Sequence, residues 1–105
     1  MEQQNKYRII VSDRAGHMLT AHAAFLAEVS PKAAEKLVVS FQAAANSLDE
    51  NPQRYPWLKS KNIPLNTYRF LIFEKRYMLI FQIRDNNVFV EYVLDSRQDY
   101  SWLIH

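Results

Sequence analysis

Two arginines in the last third of the chain have the types and spacing that could do chemistry. Arg69 lies inside an apolar run, Tyr68-Arg69-Phe70-Leu71-Ile72-Phe73, and Arg97 closes another, Val93-Leu94-Asp95-Ser96-Arg97. A guanidinium stays charged at any working pH and presents a rigid fork of five donors, which suits a phosphate group. If one sheet presents the two side by side, they would grip a phosphodiester and stabilise charge developing on it. Lys59 and Lys61 stand two residues apart, so in an extended segment they point the same way and would line the approach to that site. Each residue also has a plainer account. Arg69 would pair with Glu91 or Asp95 on a neighbouring strand. Arg97 would be a solvated charge at a strand end, and the lysines part of a solvated loop.

Other chemistries find no support. There is no cysteine, which removes disulfides and thiolate metal sites and agrees with a reducing, cytoplasmic setting. A single glycine leaves no phosphate-cradling loop and no dinucleotide fingerprint. His17 and His22 are five residues apart, not the four that would set two ligands on one helical face, and no carboxylate lies between them. No metal and no cofactor is therefore expected. His22, on an apolar stripe, is expected at the edge of the core.

The elements that must position these groups can be read from the pattern. With 105 residues, 49% hydrophobic and 23% charged, the chain has the size and composition of one globular domain. No apolar run is long enough to span a membrane, and the first residues have no signal-peptide character. The net charge of +2 is unevenly spread, because residues 54–85 hold seven Lys or Arg against only Glu74 and Asp85. Residues 6–12, with the β-branched run Ile9-Ile10-Val11, predict a strand. Ser12 or Asp13 offers an N-cap for a helix over 14–29, on which Met18, His22, Phe25 and Val29 share one stripe. Ser30-Pro31 restarts a second helix that reaches about Leu48, with Leu37, Val38, Phe41, Ala44, Ala45 and Leu48 at helical spacing. A proline-punctuated connection covers 53–66, long enough to imply a role of its own. Residues 67–74, 77–84 and 88–95 predict three strands joined by turns at Glu74-Lys75-Arg76 and Asp85-Asn86-Asn87. The order β-α-α-β-β-β places the chain in the α+β class, an antiparallel sheet with a helical hairpin packed on one face. Most strand aromatics belong to the core. Tyr55, Trp57, Tyr100 and Trp102 are placed less easily and could anchor a loop or stack on bases.

In order and spacing, these pieces resemble the RelE/ParE superfamily of toxins from bacterial type II toxin–antitoxin systems. The resemblance rests on Tyr7-Arg8-Ile9-Ile10-Val11, the helix opening Ser30-Pro31-Lys32-Ala33-Ala34-Glu35-Lys36-Leu37, and the helix end Ser47-Leu48-Asp49-Glu50-Asn51-Pro52. It continues in Tyr68-Arg69, in Tyr77 to Asp85, and in Val93-Leu94-Asp95-Ser96-Arg97-Gln98-Asp99. It implies a toxin neutralised by a cognate antitoxin protein, with no membrane involvement, and one of two activities. RelE-like members are metal-independent, ribosome-dependent endoribonucleases that cut mRNA, and here Arg69, Arg97, Lys59, Lys61 and Tyr100 would carry the chemistry. ParE-like members inhibit DNA gyrase without chemistry of their own. A degenerate member that only binds an antitoxin is the third possibility. The basic loop inclines the expectation to the nuclease. The tail inclines away from it, since neither Tyr100 nor His105 matches the nuclease group's C-terminal acid/base.

Overall fold

The computed structural model describes residues 6–61 and 63–97. Its elements are β1 (Arg8–Val11), α1 (Asp13–Ala27), α2 (Pro31–Asn46), β2 (Arg69–Phe73), β3 (Tyr77–Arg84) and β4 (Asn87–Asp95), with single 3-10 turns at Ser47–Asp49 and Pro52–Arg54. Both helix starts form as their sequences predict. The Ser12 hydroxyl accepts from the Ala15 N–H at 2.9 Å, and the Ser30 hydroxyl accepts from the Ala33 N–H at 3.1 Å, with Pro31 in the first turn.

The described strands form one sheet in the order β1-β4-β3-β2. The last three pair antiparallel in sequence, as expected, whereas β1 joins β4 in parallel, so the sheet is mixed. Connectivity explains the parallel pair. The chain leaves β1, passes through both helices and re-enters the sheet at its opposite edge as β2, a crossover long enough to allow parallel strands.

One face of the sheet meets the helices. Tyr77, Leu79 and Phe81 of β3, with Val88, Val90 and Val93 of β4, pack against Leu37, Phe41 and Ala45 of α2 and Ala15 of α1. The spacing 88, 90, 93 breaks strict alternation because a bulge intervenes. Ile80 pairs with Tyr92 and Phe81 with Val90, leaving Glu91 as the extra residue. The bulge turns Tyr92 and Leu94 to the opposite face, where they join Met78 and Ile80. There the long connection finds its structural use. Leu58 and Ile63 cover that face, and Trp57 bridges to Arg69 beside β2. The two faces of β3 are thus both covered, which is why Tyr77 to Phe81 reads as an unbroken apolar run.

On the β1 side, beyond Val11, β4 has no neighbouring strand among the described residues, and α1 side chains cover that edge. The Ser12 hydroxyl and Arg14 Nε donate to the Glu91 carbonyl. His22 Nε2 donates to the Val93 carbonyl at 3.0 Å while its ring stands edge-on to Tyr77. Covering an edge in this way removes a template for unwanted pairing, and it gives His22 the core-edge position its stripe predicts. The same stripe is not wholly buried. Met18 packs inward, but Phe25 and Val29, at 69% and 83% exposure, stay outside, because α1 turns its Leu19, Ala23 and Leu26 flank to the core.

Candidate functional site

Arg69 begins β2 opposite Phe81 of β3. Its guanidinium turns back onto the preceding connection, where Nη1 donates to the Gln53 carbonyl at 2.9 Å and to the Tyr55 carbonyl at 2.7 Å. Its Cζ lies 3.7 Å from the Trp57 ring centroid. The Gln53 carbonyl belongs to the 3-10 turn and the Tyr55 carbonyl follows it, so the arginine satisfies both and, beside the Trp57–Arg69 bridge, ties the connection to the sheet. Next to it Arg54 donates to the Tyr55 hydroxyl at 3.0 Å. Burial pushes that phenol up, but hydrogen bonds from Arg54 and Ser47 together outweigh it and leave the pKa lowered.

Arg97 lies at the other end of the sheet. It forms a forked pair with Asp95, Nε to Oδ1 at 3.1 Å and Nη2 to Oδ2 at 3.0 Å, and its backbone N–H also bonds Oδ1. Asp95 is buried, and the Arg97 hydrogen bond holds its carboxyl below the ordinary value of 3.8 while raising the Arg97 guanidinium's own pKa. Close by, the Glu74 carboxylate accepts from the Ser40 hydroxyl and pairs with Lys36 at 3.5 Å. The Ser40 bond is the main cause of its lowered pKa.

The strand register therefore does not bring the two arginines side by side. Asp95 is level with Tyr77 and Arg69 with Phe81, four residues along β3, or about 13 Å of strand, with two strand spacings of about 5 Å between β2 and β4. Sequence spacing placed both arginines near strand ends, and the order of the hairpins decides which rims those are. A hairpin reverses direction at each turn, so the beginning of β2 and the end of β4 fall at opposite rims. Neither expected carboxylate partner serves Arg69 either: Glu91 pairs with Arg14 at 3.3 Å, and Asp95 with Arg97. Lys59 and Lys61 are exposed on the connection that covers the sheet face opposite the helices. Tyr100, along with Asp99, Trp102 and His105, lies outside the described residues.

What the structure does assemble was not anticipated from sequence. A cleft of about 270 Å³ opens between the α1–α2 hairpin and the β2–β3 turn, with Leu26, Ala33 and Tyr77 as its apolar lining and Lys36, Glu74, Lys75 and Arg76 as its charged one. The available signal was Lys36 and Ser40, four apart and so on one helical face, but nothing local says that this face meets Glu74, thirty-four residues after Ser40. Among the described residues, no group of three or more His, Asp or Glu gathers where it could hold a metal ion.

A lowered carboxylate pKa links stability to pH. For Asp95 and Glu74 the folded value lies below the unfolded one, so their contribution is complete above the ordinary carboxylate range and is lost as pH falls through the depressed folded values. Asp95→Asn is expected to lower the urea midpoint at pH 7, with the difference from the parent shrinking in acid, below the ordinary carboxylate range, as the parent's carboxylate protonates. Equal differences at both pH values would remove Asp95 as the source.

The arrangement of strands and helices can be set beside known proteins. The family model for the ParE toxin of the type II toxin–antitoxin system, parDE, matches residues 9–100. The chain belongs to the ParE toxin family. A solved ParE-type fold agrees. A chain of the chromosomal ParDE toxin–antitoxin system from P. aeruginosa superposes with a TM-score of 0.68 at 13% identity, covering 88% of this chain and 98% of that one. Comparison with curated protein sequences returns no match. The ParE assignment makes a toxin of a type II system, with a cognate antitoxin as its partner. No described helix of this ParE chain is long and apolar enough to cross a membrane.

Proposed function

We propose that this ParE-family toxin arrests growth in the cytoplasm by binding DNA gyrase, with no covalent chemistry of its own, and that its antitoxin neutralises it by covering the same molecule. The observation that carries this choice over an mRNA endoribonuclease is the placement of Arg69 and Arg97. A metal-free nuclease needs its cations gathered on one scissile phosphate, since positioning and electrostatic stabilisation must supply most of the rate. Here one guanidinium is occupied with two backbone carbonyls and a tryptophan ring, and the other with a carboxylate, at opposite rims of the sheet.

Induction in cells without the antitoxin separates the two activities. Gyrase inhibition predicts loss of negative supercoiling and accumulation of gyrase-cleaved DNA, with intact mRNA by primer extension. Codon-phased mRNA cuts without gyrase-cleaved DNA would establish the nuclease instead. Purified toxin with purified gyrase and a relaxed plasmid gives the same answer without a cellular background.

A further inference from the structure

The cleft between the helical hairpin and the β2–β3 turn has no part in that choice, yet three independent features mark it. First, Arg76 Nε is, among the described side chains, the one buried nitrogen or oxygen without a hydrogen-bond partner. Native structures rarely leave a buried donor unmatched, least of all on a charged group. Second, the turn that presents it carries two consecutive non-glycine residues at positive φ, Glu74 at 48° and Lys75 at 70°. Consecutive residues in that region are the geometry of a tight hairpin turn, which fixes the direction in which Arg76 leaves it. Third, the charges around the cleft do not cancel. Glu74 is taken up by Lys36 and Ser40, and Asp95 by Arg97. Lys75 and Arg76 have no ion pair among the described residues.

We infer that this cleft is a binding site for a phosphate monoester, taken by Arg76 and Lys75 above the apolar floor of Leu26, Ala33 and Tyr77. Turned from its buried position near the Tyr77 ring toward the cleft, the guanidinium would let Nε and one terminal nitrogen meet two phosphate oxygens together, the geometry in which arginine binds phosphate best. Lys75 and Arg76 only assist Glu74 and Asp95 from beyond ion-pair distance, and together they match the charge of roughly −1.5 to −2 that a monoester carries near neutral pH. A carboxylate would leave one of them unbalanced. Leu26, Ala33 and the Tyr77 ring give the organic part of the ligand an apolar surface to lie on. The phosphate could belong to a small metabolite or to the 5′ end of a polynucleotide. The site is independent of whether gyrase or mRNA is the toxin's target.

The test uses the full chain labelled with ¹⁵N, following the Arg76 Nε–H resonance during titration with inorganic phosphate, with sodium chloride at matched ionic strength as control. A saturable shift with phosphate and none with chloride is expected. Lys75→Gln, at an exposed position that does not threaten folding, is expected to weaken binding by about tenfold, as for loss of one charge-assisted contact. Arg76→Lys, which keeps the charge and loses the fork, is expected to weaken it further. A 5′-phosphorylated trinucleotide that binds more tightly than both inorganic phosphate and its unphosphorylated counterpart assigns the site to polynucleotide ends. Binding no tighter than inorganic phosphate assigns it to small phosphates. No saturable shift, the same shift with chloride, or undiminished binding in Lys75→Gln and Arg76→Lys together would overturn the inference.

Discussion

Arg69→Ala is expected to lower unfolding free energy by about 2–3 kcal/mol, the range for losing charge-assisted hydrogen bonds together with a stacked cation. The Gln53 and Tyr55 carbonyls lose their shared donor, and Trp57 loses the plane that covers it. Because the same guanidinium ties the connection to the sheet, the first consequence is loosening of residues 53–58, visible as faster amide exchange there before global unfolding. Arg69→Lys should recover only part of the loss, since an ammonium lacks the guanidinium's fixed fork of donors and its planar face over the indole. If Arg69 and Arg97 acted together on one phosphate, their effects on toxicity would be strongly non-additive, as for residues of one catalytic unit. Their separation predicts the opposite: stability effects of Arg69→Ala and Arg97→Ala that sum to within about 0.5 kcal/mol in urea titrations. A coupling well beyond that would argue for a shared site.

Phe81→Ala is expected to be the more damaging change, costing about 3–5 kcal/mol. Phe81 is fully buried at the centre of β3, between Arg69 on β2 and Val90 on β4, and stands edge-on to Tyr55 at 6.1 Å. Removing the ring opens a cavity where the strand joins the helix-facing core to the connection. Against a total stability of about 5–15 kcal/mol for a domain of this kind, toxicity and antitoxin binding should fall together. Thermal unfolding should show a lowered midpoint or no cooperative transition. A Phe81→Ala protein that melts like the parent would mean that the ring is not packed as described. Phe81→Leu, which refills much of the volume, should retain a cooperative transition.

These two residues show how far sequence goes. That Phe81 is core was legible from a strand run of Tyr77 to Phe81 with no polar residue on either face. That Arg69 is on a strand was legible too, but its partners were not. They are backbone carbonyls of a proline-punctuated segment whose path depends on the sheet it covers. The bulge at Glu91 was invisible for a similar reason. Val88, Val90 and Val93 fit neither alternation nor helical spacing until the register with β3 shows that Glu91 is the extra residue. Glu74-Lys75-Arg76 was legible as a turn, but not as the wall of a cleft, because the other wall is supplied by α2.

What the chain determines locally is therefore secure from its residues alone. The two serine-capped helices, the three consecutive strands, the turns between them and the α+β class follow from hydrophobic period, capping and turn chemistry, which act within a few residues. Set in order, those pieces also carry the likeness to the RelE/ParE superfamily. Tertiary structure alone decided the parallel seat of β1 beside β4, the seating of Arg69 on the Gln53 and Tyr55 carbonyls, and the meeting of α2 with the β2–β3 turn. Each depends on pairing between segments distant along the chain, and such pairing is set by packing of whole faces rather than by any residue's neighbours.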